Sequence, residues 1–268
     1  MLGVATALGT KPGSSAEAFD FSIVIPMKDE AENVVTLLTD CVEAAGPLGR
    51  FEICVVDDGS SDGTETVLRQ FQTDHPAVAL TVIRHARSAG QSAAIHTAVR
   101  HSSAPLICTL DGDGQNPPNQ LGKLVTPLLA QPGGRLALVA GQRAKRNDPL
   151  GKRLASRAAN AIRGTMLRDG TRDTGCGLKA FRRDAFLALP YFNHMHRFLP
   201  ALFQRDGWQI QLVDVTHQER MAGRSKYTNL GRAIVGASDL LGVAWLIRRR
   251  RVVGPDDITI SKQDRGVA

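Results

Sequence analysis

Short apolar runs alternate with stretches of helical spacing from residue 21 to about residue 143. The run FSIVIP, residues 21–26, reads as a buried strand stopped by proline, and residues 30–45 carry apolar positions at helical spacing. A second strand is expected over 51–56 (FEICVV), a helix over 64–71, and a third strand over 79–85 (ALTVIRH). SAGQSAAIHTAVRHS opens as a glycine loop and continues as a helix. APLICTL gives a fourth strand, residues 118–129 a helix, and LALVAGQR a fifth strand. Such alternation predicts an α/β chain with a mostly parallel central sheet and helices on both faces. Sheets of this kind gather ligands at the carboxyl ends of their strands. Three polar segments fall there: PMKDEAEN, DDGSSDGT and DGDGQNPP. No internal repeat is visible.

Beyond residue 143 the pattern changes. KRNDPLGKRLASRAANAIRGTMLRDG is basic and helical, and TRDTGCGLKAFRR reads as a glycine-containing loop leading into a short strand. HQERMAGRSKYTNLGR is basic and polar, and AIVGASDLLGVAWLIRRRR is a short apolar helix with a basic end. The expected organisation is a flexible tail over 1–20, a main domain over 21–230, an amphipathic helix over 231–251, and a second tail over 252–268.

Charge narrows the partners. A net charge of +7 favours anionic ones: nucleic acid, anionic lipid or phosphorylated substrates. Aromatic content is only 5%, and no aromatic–basic interleaving of the kind single-strand binders use is present, which argues against nucleic acid. The four cysteines form no CxxC pair and no zinc-like cluster with histidine, so a reducing, cytoplasmic environment is expected. The opening MLGVATALGT lacks a basic leader and reads as loose tail rather than signal peptide.

The chemistry concentrates in LICTLDGDGQNPP. Asp111 and Asp113 are like charges one residue apart, which repel unless a cation sits between them. Gly112 and Gly114 allow the backbone to bend until both carboxylates face one point. A hard divalent ion suits such oxygens, and the Gln115 amide carbonyl offers a third. A helix-loop-helix calcium site is excluded, because its sixth and twelfth positions hold Asn116 and Gly122 instead of Gly and Glu. Asp57 and Asp58 end the second strand, where an acid can accept hydrogen bonds from ribose hydroxyls. Neither GxGxxG nor GxxxxGK[ST] follows the first strand, so hydride transfer and ATP hydrolysis lose their main support.

Taken together and in order, VIPMKDEAEN, VVDDGSSDGT, AGQSAA, DGDGQNPP and HQERMAGRSKY resemble the inverting family 2 glycosyltransferases. The likeness is to their dolichol-phosphate mannosyltransferase-like branch and spans roughly residues 21–230. It implies a Rossmann-like GT-A nucleotide-sugar-binding fold, a Mg²⁺ or Mn²⁺ ion, a UDP- or GDP-linked sugar donor and a polyprenyl-phosphate acceptor. Carried over by position, Asp111, Asp113 and Gln115 match the metal segment, usually written DADxQ. Asp57 and Asp58 match the acids at the nucleoside, and Pro26 and Glu30 the end of the first strand, also at the nucleotide. Arg143 matches a basic residue near the phosphates, and Lys152 and Ser156 the acceptor-phosphate positions. Arg220, Ser225 and Lys226 match the late basic motif, with Arg220 on the donor diphosphate. Met27, Lys28 and Asp29 depart from the family's frequent Thr-Tyr-Asn and remove an aromatic ring at position 28.

The resemblance implies that Asp113, Arg143 and Arg220 carry catalysis by neutralising the departing diphosphate. A lipid monophosphate, with a second pKa of roughly 6, is already mostly dianionic near neutral pH and needs no dedicated base. RDTGCGLKAFRR and NHMHRFLP are expected on the acceptor side; His194 and His196 alternate as strand ligands would, but are read as surface or core residues. Cys176 is expected to pack rather than react. The terminal apolar helix falls short of the ~20 residues needed to span a bilayer, and Asp239 interrupts it. An interfacial role fits, with Trp245 on the apolar face and Arg248 to Arg251 at anionic headgroups on the cytoplasmic side; packing on the protein's own core is the alternative. Two other functions stay open: a transferase acting on a saccharide hydroxyl, and a nonenzymatic membrane adaptor that kept the nucleotide pocket.

Overall fold

The computed structural model describes residues 18–143, 163–216 and 229–250, with side chains left aside for 229–235. β1 (Phe21–Met27), β2 (Phe51–Asp57), β3 (Leu80–Arg84) and β4 (Leu106–Thr109) alternate with α1 (Val34–Ala45), α2 (Thr64–Asp74) and α3 (Gln91–His101). α4 (Leu121–Leu129) then leads to β5 (Leu136–Arg143). β6 (Lys179–Arg182) and β7 (Gln209–Val215) complete a seven-stranded sheet in the order β3-β2-β1-β4-β6-β5-β7. All pairings are parallel except those of β6, which runs antiparallel between β4 and β5.

The apolar pattern explains the layers. On β1, Phe21, Ile23, Ile25 and Met27 face α1, α2 and α4, while Val24 faces the other side. On β2, Ile53 and Val55 join the first face, Cys54 and Val56 the second. Both faces are dry, so the strands read as continuous apolar runs rather than as alternation. The second face is covered by α3, the helices Arg183–Leu187 and Leu199–Arg205, and the C-terminal helix Asn229–Arg249.

Some features go beyond the sequence reading. Residues 209–215, which carried no strand assignment, form the edge strand β7, whose polar outward positions Gln209, Gln211 and Asp214 masked it. His194 and His196, read from sequence as surface or core residues, lie at a 3-10 turn, Met195–Arg197, which His194 enters with φ of +66°. The C-terminal helix begins at Asn229, slightly before the expected start, and packs through Val243 and Ala244.

Candidate active site

Parallel register brings the three acidic turns to one edge of the sheet. Met27 pairs with Asp57 and Asp57 with Arg84, while Thr109 pairs with Lys179 and Lys179 with Ala140. The carboxyl ends of β1 to β5 therefore meet the start of β6, because β6 runs the other way.

The turn after β1 is tied to the turn after β2. The Asp29 amide, at φ of +53°, donates to Ser60 Oγ at 2.8 Å, and the Glu30 amide to Thr64 Oγ1 at 2.9 Å. Asp29 Oδ1 in return accepts the Ser61 amide at 2.8 Å. Asp57 is fully buried; it accepts the Ser60 amide at 2.8 Å and the Arg84 guanidinium at 3.0 Å. Asp58 accepts from Ser88 Oγ at 2.7 Å, from the Ala89 and Gly90 amides at 2.8 Å each, and meets His85 Nδ1 at 2.8 Å. Burial opposes its ionisation, but these donors outweigh burial and hold its pKa below the usual range. Both carboxylates of this motif thus serve the architecture of the neighbouring loops.

The acidic corner follows β4. Asp111 is half-buried; its Oδ1 accepts Gln91 Nε2 at 2.7 Å and its Oδ2 accepts Asn116 Nδ2 at 2.8 Å. Burial and the neighbouring Asp113 charge push the Asp111 pKa up, and Lys179 draws it partly back. Asp113 Oδ1 accepts the Gln115 amide at 3.1 Å, which closes the turn. The glycines act differently from one another. Gly114 adopts φ of +72°, but Gly112 is needed for close approach: a Cβ there would sit 2.8 Å from Met27 Cγ and 3.0 Å from the Pro26 carbonyl.

Opposite the corner, Asp173 grips Arg143 through both oxygens, with the second contact, Nη2 to Oδ1, at 2.8 Å. Buried Gln142 fixes that loop by accepting the Arg172 and Asp173 amides at 2.8 and 3.0 Å. Lys179, 5% exposed, donates to the Cys176 carbonyl. Thr109 Oγ1 donates to the Gly177 carbonyl at 2.7 Å, and Gly177 lies directly against the Asp111 carboxylate. Behind the corner, Gln91, Thr109, Asp111, Lys179 and His196 line a small cavity of about 10 Å³, enough for about one water. His196 is half-buried, with Nδ1 2.7 Å from Ser92 Oγ, and desolvation with nearby Lys179 pushes its pKa well down. His194 instead pairs with Asp239 of the C-terminal helix at 3.0 Å.

The structure brings Asp111, Asp113, Gln115 and Arg143 to the strand ends, with Pro26 and Asp57 in the last residues of β1 and β2 and Glu30 and Asp58 on the loops that follow them. Lys152, Ser156, Arg220, Ser225 and Lys226 lie outside the described residues. Gln91, Asn116, Asp173, Gly177 and Lys179 were not singled out from sequence. A faint signal existed for Gln91, which opens the helix in AGQSAA, and for Lys179, a lone charge at the head of the apolar strand LKAF. The donor set is hard: the Asp111 carboxylate, held by two neutral carboxamides, lies beside the Asp113 carboxylate, which the Gln115 backbone amide orients, and such oxygens suit an oxygen-seeking divalent ion. Among the described residues no third His, Cys, Asp or Glu joins them.

A family model described as Glycosyl transferase family 2 matches residues 22–189. The undecaprenyl-phosphate 4-deoxy-4-formamido-L-arabinose transferase of Pectobacterium carotovorum is 33% identical over 210 residues, covering 78% of this chain and 63% of the relative. The dodecaprenyl-phosphate galacturonate synthase of Rhizobium johnstonii is 31% identical over 236 residues, covering 87% and 68%. The chain therefore spans roughly two thirds of the length of these relatives. A mannosyltransferase from Pyrobaculum calidifontis, solved with GDP-Man and Mn²⁺, shares the fold at a TM-score of 0.61 and 20% identity, over 90% of this chain and 67% of that one. Glucosyl-3-phosphoglycerate synthase from Mycobacterium tuberculosis, solved with Mn²⁺, UDP and product, does so at 0.62 and 18%, over 90% and 86%.

Proposed function

This chain belongs to glycosyl transferase family 2, and on that premise we propose that it transfers a sugar, with inversion, from a nucleotide-sugar donor to a polyprenyl phosphate. The observation that carries the reading is the acidic corner, Asp111 and Asp113, facing the Arg143–Asp173 pair across the strand ends of a GT-A fold. The named activities of the relatives, both on polyprenyl phosphates, support the acceptor.

Asp111 and Asp113, with Gln115 by position, would hold Mg²⁺ or Mn²⁺, which supplies Lewis-acid neutralisation of the donor diphosphate. The chain's own groups do the rest. Arg143 lies at the end of β5 and shares its charge between Asp173 and the incoming phosphates. Asp57 and Asp58 shape the nucleoside-side turns, and Pro26 and Glu30 border them. Lys152, Ser156, Ser225 and Lys226 are assigned to the acceptor phosphate, and Arg220 to the donor diphosphate, by position in the sequence. The acceptor phosphate oxygen attacks the anomeric carbon as the carbon–diphosphate bond breaks, and no dedicated base is required.

Acceptor chemistry calls for a lipid surface. Leu241 and Trp245, one turn apart on the C-terminal helix, are 65% and 58% exposed, and Arg248 and Arg249 follow. Among the described residues no helix is long and apolar enough to cross a membrane. We assign this face to the anionic cytoplasmic membrane surface, with the opposite face docked on the core. The test is a panel of radiolabelled nucleotide sugars offered with polyprenyl phosphate, free saccharides or no acceptor. Label extracted into organic solvent only with the lipid, and lost in Asp113→Ala, is expected. Label passing only to saccharides, or no donor turnover at all, overturns the reading.

A further inference from the structure

We infer that Gln91 is a positioning residue for the acidic corner: its carboxamide orients the Asp111 carboxylate, and Asp58, in the turn after β2, holds it in place. The inference rests on the corner being the donor's metal site and adds how that corner is kept in shape.

Gln91 is the first residue of α3, and its cap, Gly90, has φ of +92°. A loop with no regular structure would ordinarily let such a helix start drift. Here Asp58 collects the Ser88 hydroxyl and the Ala89 and Gly90 amides, three successive residues ahead of Gln91. His85 bridges the same carboxylate to Thr97 Oγ1 at 3.0 Å, so the clamp grips α3 farther along as well. The loops also touch backbone to backbone: a Cβ on Gly59 would lie 2.8 Å from the Ser88 nitrogen and 2.9 Å from the Arg87 carbonyl carbon. The helix start is thereby fixed relative to β2.

From that fixed point Gln91 Nε2 reaches Asp111 Oδ1 at 2.7 Å, while Asn116 Nδ2 holds Oδ2 at 2.8 Å. Each oxygen spends one lone-pair direction and keeps another for a cation. The choice of a neutral donor matters. A lysine or arginine at position 91 would neutralise the carboxylate and compete with a divalent ion; a carboxamide orients it and leaves its charge in place. Groups that hydrogen-bond ligating carboxylates contribute about 10- to 100-fold in metal affinity.

The experiment measures Mn²⁺ binding by electron paramagnetic resonance, in the presence of UDP or GDP, for the full chain and four variants. Gln91→Leu is expected to weaken Mn²⁺ binding about 10- to 100-fold at an unchanged melting temperature, because the side chain is exposed. Asp58→Asn is expected to weaken it similarly and to speed amide exchange at Ala89 and Gly90. The double variant is expected to lose no more than the worse single one, since both act on one carboxylate. Ser88→Ala, which removes one of the clamp's donors and touches no ligand, shifts affinity the same way by a smaller factor. Unchanged Mn²⁺ affinity in Gln91→Leu, a rise in donor KM with metal affinity intact, or additive losses in the double variant each overturn the inference alone. Failure of the unsubstituted chain to bind Mn²⁺ with either nucleotide overturns the metal-site reading instead.

Discussion

Adding one methyl group at position 177 tests the geometry of the corner directly. Gly177 has no positive φ, so its backbone accepts alanine, and a compatible Gly→Ala change stiffens the unfolded chain by about 0.4–1 kcal/mol in favour of folding. The new Cβ, however, would overlap Cγ and both oxygens of Asp111 by roughly 1 Å against the ~3.5 Å at which such atoms touch. Something must move. The Gly177 carbonyl is pinned by Thr109 Oγ1 at 2.7 Å and the Cys176 carbonyl by Lys179, so the loop is the stiffer partner. The Asp111 carboxylate is the free end of a side chain and yields first, pulling away from Gln91 and Asn116. A displacement of about 1 Å at a reacting centre costs on the order of 100-fold in rate. That corresponds to about 2.7 kcal/mol of transition-state stabilisation. Gly177→Ala should therefore lose about 100-fold in kcat/KM for the donor and bind Mn²⁺ more weakly, while melting within a few degrees of the unsubstituted protein. Full activity would refute the close-approach argument. A collapse in melting temperature matching the activity loss would show that the methyl group breaks the fold rather than the site.

Asp111→Asn should raise the melting temperature of the metal-free protein at pH 7 and abolish transfer. The sign follows from the raised pKa: the folded state holds the proton more tightly than the unfolded one, so the carboxyl's contribution to stability falls as pH rises from the unfolded value through the folded one. The difference between variant and parent should vanish in acid, and calorimetry across pH checks it; an equal gain at all pH values would refute it. For the same reason Mn²⁺ affinity should fall on acidification through that raised pKa, as titration at fixed ionic strength will show. Replacing Arg248 and Arg249 by Ala should weaken sedimentation with anionic vesicles about 30-fold, at about 1 kcal/mol per basic residue, and leave neutral vesicles unaffected. The Cys41 and Cys54 thiols, both pushed up to about 12 by burial, should resist iodoacetamide at pH 8 and react only on unfolding, read by mass spectrometry.

The sequence disclosed the fold where one period dominated. β1, β2, β4 and β5 are buried on both faces, so their apolar runs stood out, and the turns between them carried glycine and aspartate. β7 stayed hidden because an edge strand can keep polar residues such as Gln209 and Gln211 facing out. β6 was legible as a strand but not in its direction, since nothing local distinguishes antiparallel insertion between β4 and β5. At the site, ligand-type residues were visible as charges clustered at strand ends. Their supports were not. Gln91 and Asn116 are polar in unremarkable surroundings, and Gly177 becomes meaningful only when β6 brings it against Asp111, far away in the chain.

That asymmetry follows from what the corner must do. Two adjacent carboxylates are costly to hold ionised away from bulk water, and the simplest local remedy would be a bound cationic side chain. A lysine placed directly on Asp111 would make the folded state easier to reach and the corner harder to load. The chain instead sets Lys179 behind the loop, bonded to the Cys176 carbonyl, where its charge reaches Asp111 without a direct bond to it among the described contacts. Direct contacts to Asp111 come from neutral carboxamides, and packing comes from a residue with no side chain. Orientation is thus supplied by groups without charge, and charge by a group at one remove. On the function proposed, such a corner would keep its affinity for a small divalent ion because its partners orient it without cancelling its charge.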